Sequence, residues 1–202
     1  MIKNVIFDFG CVLLHWSQHN LYDPYFGSSE KTDWFVDHIC TWEWNNQTDI
    51  GKTFAESIAE KVAEFPEWEK EIRMYWDRWE DMLGGEVEGM KEWITQLKAE
   101  GYRLYGLSNW SSETFPLVKD KYPVFKMLDG IVLSGEERIG KPDLRIYQIL
   151  LDRYALKPEE SVFIDDRLSN IEAGQQLGIH GILFANAQQA KQAFNQLQQE
   201  IL

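Results

Sequence analysis

A single charge inside an apolar run constrains this chain most. Val5-Ile6-Phe7-Asp8-Phe9-Gly10-Cys11-Val12-Leu13-Leu14 reads as a first β-strand buried on both faces, with Asp8 its one interruption. An ionised carboxylate in such a run is costly unless it is paired or lies on a cation. The economical placement is the strand's C-terminal end, the edge where parallel sheets open onto their ligands. An ordinary strand closed by an Asp-containing turn accounts for the same residues.

Asp8-Phe9-Gly10 also spells the metal-holding tripeptide of protein kinases. A kinase needs its Gly-rich loop, strand lysine and His-Arg-Asp loop upstream, and only seven residues precede Asp8, so that reading fails. Composition narrows the field further. At 202 residues, 44% hydrophobic and 14% aromatic, the chain can bury a core as one domain or as a domain with an insertion. A net charge of −13 argues against binding a nucleic-acid backbone and obliges any phosphate site to supply its own local positive charge. Cys11, placed in the core strand, and Cys40 are the only cysteines, which predicts no disulfide framework and a reducing compartment. There is no leader-like segment before the first strand and no apolar stretch near the ~20 residues of a membrane span. The expectation is a soluble, cytoplasmic protein, a monomer or small homo-oligomer, with neither nucleic acid nor membrane as partner.

From His15 to Gly85 short β runs vanish and polar-aromatic segments with helical spacing replace them. Thr53-Phe-Ala-Glu56 is a capping box opening a helix through Phe65, with Phe54, Ile58 and Val62 on one face. Pro66 suits the first turn of a second helix running to Leu83, on which Trp76 and Trp79 share a face. The stretch Trp42–Gly51 reads as a polar loop. Trp42 and Trp44, two apart, are the tryptophans best placed to line a pocket, and Trp16 is another candidate for its rim. Past Gly85, helices and strands alternate. A helix over Val87–Glu100 is followed by a strand Tyr102–Leu107 ending at Ser108-Asn109, and a strand Gly130–Leu133 leads to Gly140-Lys141-Pro142-Asp143. Pro142 as a first helical residue sets Lys141 beside the N-terminus of a helix Asp143–Tyr154. A strand Ser161–Ile164 ends in Asp165-Asp166, and Ser169-Asn170-Ile171-Glu172 reads as a second capping box. A strand Gly181–Phe184 and a helix Ala187–Glu200 complete an α/β pattern, a parallel sheet covered on both faces.

In such a sheet all strand C-termini share one edge, so Asp8, Ser108, Asn109, Lys141, Asp165 and Asp166 converge. Three carboxylates in one crevice call for a hard divalent cation, and Mg²⁺ takes carboxylate and carbonyl oxygens, the carbonyl of Gly10 included, while keeping positions for phosphate. Lys141 and Ser108 then hold phosphoryl oxygens, Asn109 is a further substrate contact, and Asp8 is placed to form an aspartyl-phosphate.

The segments IFDFGCVL, GLSN, GKPD and FIDDRLSNIEAG, in this order, resemble the four motifs of the haloacid dehalogenase superfamily of hydrolases over essentially the whole chain. The resemblance implies a Rossmann-like core, residues 1–14 and 86–202, with a helical-bundle cap inserted at 15–85. It implies Asp8 as nucleophile, Ser108 and Lys141 as phosphate ligands, Asp166 as magnesium ligand and Asp165 as support for bound waters. It further implies a small-molecule phosphate ester as substrate. Phosphatases of the superfamily usually carry an aspartate two residues after the nucleophile as general acid/base; here that position is Gly10. The pattern is similar to a branch typified by bacterial α-glucose-1-phosphate phosphatase, which also carries glycine there, and a sugar phosphate with a good anomeric leaving group needs the acid less. Acid/base assistance is worth ~10²–10⁴-fold, so its absence implies a slower enzyme, with His15 as a stand-in donor. Three other readings use the same residues. A catalytically weak or inactive metal- and phosphate-binding regulator differs only in turnover. A 2-haloacid dehalogenase needs a bulky tyrosine at the Gly10 position and no acids in the fourth motif. A phosphonate hydrolase needs a cap lysine, for which Lys52 is the candidate.

Overall fold

The computed structural model describes residues 1–201. In chain order the elements are β1 (Asn4–Phe7), β2 (Leu14–Trp16), α1 (Gln18–Phe26), α2 (Ser29–His38), α3 (Trp42–Asp49), α4 (Phe54–Glu64), α5 (Glu69–Asp77), β3 (Leu83–Glu86), α6 (Met90–Ala99) and β4 (Arg103–Ser108). Then come α7 (Phe115–Val118), β5 (Gly130–Leu133), α8 (Ser134–Glu137), α9 (Leu144–Arg153), β6 (Ser161–Asp165), α10 (Leu168–Gln176), β7 (His180–Leu183) and α11 (Ala187–Glu200). Five strands form one sheet in the order β5-β4-β1-β6-β7, every pairing parallel, with β1 at its centre.

The apolar reading of β1 is borne out by complete burial of Asn4 through Phe7, and the period-2 geometry of a strand sends its side chains to opposite faces. Val5 and Phe7 join a core reaching α6 and α11, where the Phe7 ring meets Trp93 edge-on at 6.0 Å. Ile6 faces the other layer, packing with Ile146, Tyr147 and Leu150 of α9 and Ile171 of α10. Helices thus cover both faces of the sheet.

The first strand is shorter than its apolar run. It stops at Phe7, and Asp8 follows its last residue. Phe9 accepts backbone bonds from Leu13 and Leu14, closing a turn in which Cys11 takes a left-handed φ of 58° and is exposed, so Cys11 is no core residue. Val12, Leu13 and Leu14 remain buried, but Leu14 opens a separate antiparallel pair, β2 with β3. That pair was illegible because each strand is short, and Gly84-Gly85 supply no side chains to alternate.

Between β2 and β3 the chain is helical. The capping box at Thr53 forms as expected, with Thr53 Oγ1 accepting the Glu56 N–H and the Glu56 carboxylate accepting the Thr53 N–H. Most of the Trp42–Gly51 stretch is helical rather than loop, over Trp42–Asp49, capped by Thr41, whose hydroxyl accepts the Trp44 N–H. The helix expected from Pro66 to Leu83 divides into a 3₁₀ turn, α5 and a second 3₁₀ turn. Trp76 is consequently exposed and Trp79 buried, not side by side on one face. The second capping box does not form. α10 starts after Arg167 with no side-chain cap, and the Arg167 N–H is taken by the Asp165 carboxylate instead. Nor is Pro142 helical, since Asp143 is the N-cap of α9.

Candidate active site

The parallel sheet delivers its polar strand ends to one edge. Asp8 follows β1, Ser108 ends β4 beside it, and Asp165 ends β6 on its other side. All three are buried. Ser108 Oγ donates to Asp8 Oδ1 at 2.8 Å, and the Phe9 N–H donates to the same oxygen at 2.7 Å. Lys141 Nζ lies 2.8 Å from Asp8 Oδ1 and 2.6 Å from Asp165 Oδ2. Oδ1 of Asp8 therefore takes all three contacts, and no donor among the described residues reaches Oδ2.

Lys141 is 7% exposed, with its ammonium 5.2 Å from the centre of the Phe163 ring. A buried ammonium needs partners, and the two carboxylates supply them. Burial opposes its charge most, but Asp8 and Asp165 more than compensate, so its pKa rises. Asp8 shows the converse balance. Burial raises its pKa to about 6, with Lys141 pulling down and Asp165 pushing up. Asp165 is held by two further residues: Arg167 N–H donates to Oδ1 at 2.8 Å, and Asn170 Nδ2 lies 3.0 Å from each oxygen. Asp166 is exposed, and its carboxyl is raised by partial burial and then by Asp165.

Asp8, Asp165 and Asp166 each bring one carboxylate oxygen within 4.8 Å of the other two. Three acids thus face one ammonium, an arrangement that repels a phosphate dianion unless a cation joins it. The all-oxygen donor set, with Asp8 Oδ2 and Asp166 free of donors among the described residues, fits a hard divalent ion of the magnesium type. Asp8 and Asp166, with the Gly10 backbone alongside, are the residues that would hold it.

A cavity of about 440 Å³ opens over this cluster, between the sheet edge and the helical segment. Asp8, Gly10, Ser108, Asn109, Lys141 and Asp166 line it, as do Trp16 and Trp42. The Arg167 guanidinium stacks 4.0 Å from the centre of the Trp42 ring, and Trp16 meets Trp42 edge-on at 6.2 Å. Trp44, expected in the pocket, is 5% exposed and packs inside the insert. Its indole N–H donates to the Ser57 carbonyl at 3.2 Å and its ring meets Tyr75 edge-on. Helical geometry explains the split, since residues two apart in a helix point to different sides. His15 lies outside the cavity, exposed on β2. Lys52 pairs with Glu60 and Gln47, also outside it.

Asn109 lines the cavity, but both ends of its amide are engaged. Its Oδ1 accepts the Lys141 N–H at 2.7 Å and its Nδ2 donates to the Lys141 carbonyl at 2.9 Å. The residue clasps the loop that presents the ammonium. Asn109→Ala is expected to cost ~1–3 kcal/mol by urea denaturation, as two hydrogen bonds are lost. It should lower turnover more than Asn109→Asp, which retains the acceptor. Equal stability of Asn109→Ala and the parent would contradict this role.

Sequence reasoning missed three residues. Asn170 was within a quoted motif but read as a cap. Arg167, inside the same motif, reads from sequence as a solvated side chain, and Asp49 has no motif to mark it; both line the cavity. Asp49 lies at the C-terminal end of α3, in the stretch read as loop.

The comparisons agree with this geometry. Among solved structures, a predicted hydrolase of Porphyromonas gingivalis superposes with a TM-score of 0.75 at 21% identity, covering 98% of both chains. An enzyme of Bacteroides thetaiotaomicron, solved in complex with magnesium and inorganic phosphate, superposes with a TM-score of 0.72 at 22% identity, covering 92% of this chain and 96% of that one. A sesquiterpene phosphatase of Aspergillus oryzae is 30% identical over 93 residues, 46% of this chain and 47% of that protein, so the match spans about half of the relative. The haloacid dehalogenase-like hydrolase model matches residues 2–178, and a parallel sheet with its acids gathered at one edge is what that match requires: the chain belongs to the haloacid dehalogenase-like hydrolases.

Proposed function

We propose that this hydrolase is a magnesium-dependent phosphatase acting on a small phosphorylated metabolite, with a sugar phosphate the favoured class, through an aspartyl-phosphate on Asp8. In this reading residues 1–14 and 86–202 are the catalytic core and 15–85 the cap. The observation that carries it is the convergence of Asp8, Ser108, Lys141, Asp165 and Asp166 at one sheet edge.

Asp8 attacks phosphorus, and the ester oxygen leaves. Ser108 and Lys141, both already on Asp8 Oδ1, are placed to turn to the phosphoryl oxygens as charge builds there. A bound magnesium ion supplies charge neutralisation for the phosphoryl group. Asp165 orients Lys141 and supports the waters around the ion, while Asn109 holds the Lys141 loop. Above them Trp16 and Trp42 offer flat apolar faces to a sugar ring, and Arg167 adds a cation at the rim. The two free thiols support a reducing compartment, the cytoplasm.

A haloacid dehalogenase is among the matching relatives. The retained Asp165-Asp166 pair and the absence of a side chain at Gly10 favour the phosphatase, since dehalogenation needs no metal site. Lys52, in its ion pair outside the cavity, gives the phosphonate hydrolase no imine-forming lysine.

Purified protein is expected to release phosphate from an aryl phosphate with Mg²⁺ and to stop on EDTA addition, resuming with excess Mg²⁺. Aryl phosphates have good leaving groups, so the assay does not depend on a general acid. No release from a broad panel of phosphate esters would favour the non-catalytic, phosphate-binding reading.

A further inference from the structure

We propose that Asp49, at the end of α3 in the helical insert, is the general acid/base that protonates the leaving oxygen, taking over the part left open by Gly10. The inference rests on the phosphatase reading and identifies a further catalytic residue for it.

The need is created by Gly10, which has no proton to give. The position is open, since a Cβ built there meets nothing within 4 Å. A donor must therefore come from elsewhere on the cavity wall. The wall's titratable groups can be taken in turn. Asp8 and Asp166 belong to the acid cluster, and Lys141 is locked between two carboxylates. Arg167 does not release a proton at any working pH. His19 has both ring nitrogens against carboxylates, Nδ1 at 2.9 Å from Asp23 and Nε2 at 3.3 Å from Asp33. Cys11, raised above the ordinary thiol range by burial, is a poor donor to an alkoxide. Asp49 is left.

Its setting suits the task. Asp49 keeps a partly exposed edge on the cavity, while the surrounding protein strips water from its carboxyl. Asn45 Nδ2 donates to Oδ2 at 3.1 Å, fixing the group's orientation. The Ser134 hydroxyl donates to the Asp49 carbonyl, tying this point of the insert to the end of β5 in the core. Burial raises the carboxyl to about 8. The Ser111 amide, Arg167 and Asn45 pull it down, and the nearby Asp8 charge pushes it up. Asp49 is thus a neutral acid near pH 7, poised where a general acid is most effective. Asp8 and Asp49 line the same cavity, so one bound ester can meet both carboxyls.

The step balances. Asp8 oxygen forms a bond to phosphorus, the ester P–O bond breaks, and its electron pair goes to the leaving oxygen, which takes the Asp49 proton and departs as an alcohol. In the second half a water oxygen attacks phosphorus and returns a proton to Asp49. The Asp8–phosphorus bond breaks, leaving the Asp8 carboxylate and inorganic phosphate.

The test compares an aryl phosphate, whose phenolate leaves unaided, with an alkyl phosphate such as glycerol 3-phosphate. Asp49→Asn is expected to lower the alkyl-to-aryl ratio of kcat/KM by ~10²–10⁴-fold. The parent is expected to lose alkyl activity above about pH 8, where Asp49 gives up its proton, and Asp49→Asn should remove that loss. Gly10→Asp in the Asp49→Asn background, placing a carboxyl in the open site, is expected to restore part of the ratio. An unchanged ratio in both Asp49→Asn and Asp49→Ala overturns the proposal, as does equal loss on both esters. Parent protein that releases no aryl phosphate overturns the phosphatase reading itself, a different failure.

Discussion

Asp8→Asn is expected to lower turnover by ~10⁴–10⁶-fold while leaving the metal-free protein at least as stable as the parent at neutral pH. The amide retains the size of the side chain but removes the oxygen nucleophile, and among the described residues Asp8 is the carboxylate that meets both Ser108 and Lys141. The stability half follows from the raised carboxyl. Asp8 titrates at about 6 in the fold, above the ordinary carboxylate value it has unfolded. Between those two pH values the unfolded chain has already lost the proton that the folded chain keeps. Stability of the metal-free protein therefore falls as pH rises from about 4 to about 6, by an amount on the order of 2–3 kcal/mol. Asparagine does not titrate, so the variant should lack this slope. Urea midpoints in EDTA from pH 4 to 7 measure it. An Asp8→Asn variant clearly less stable than the parent at pH 7 would show that the ion pair with Lys141 outweighs the cost of burying the carboxylate, contradicting the stability half of this expectation.

Lys141 is expected to give the largest loss of stability. Lys141→Met removes the one ammonium between Asp8 and Asp165 and leaves two buried carboxylates facing each other, a change worth ~3–5 kcal/mol. Turnover falls with it, because the phosphoryl group loses its protein cation. Adding Asp8→Asn to this variant removes one of the stranded charges, so the double variant should be more stable than Lys141→Met alone, with a coupling of ~0.5–3 kcal/mol. Urea denaturation of the four proteins completes the cycle. Lys141→Met within ~1 kcal/mol of the parent would mean that the paired carboxylates relax into water or take up protons at little cost.

The buried acid cluster with Ser108 and Lys141 was legible because most of it is carried by strand ends. Burial makes β1, β4, β5 and β6 read as apolar runs, and each stops at a polar residue whose place on the sheet edge follows from parallel topology. The insert was legible only where local chemistry is strong, as at the Thr53 capping box. Trp42 and Trp44 show the limit. Composition offered both to the pocket, and only the helix connecting them decides that Trp42 faces Arg167 while Trp44 faces Tyr75. Asn109 reads as a ligand in sequence because its role depends on Lys141, 32 residues away. Asp49 has no pattern at all. Its raised carboxyl comes first from burial, opposed by the Ser111 amide after β4 and reinforced by the Asp8 charge after β1, neighbours that meet it only once the insert folds against the core.

The central claim is a covalent phosphoryl group on Asp8, and its most direct measurement is acid quenching of the Mg²⁺-loaded protein during turnover of a phosphate-labelled ester. The account predicts label that survives acid, is released by hydroxylamine as expected of an acyl phosphate, and maps to the peptide carrying Asp8, with none in Asp8→Asn. Turnover that proceeds with no label on the protein, or label on a residue other than Asp8, would contradict it.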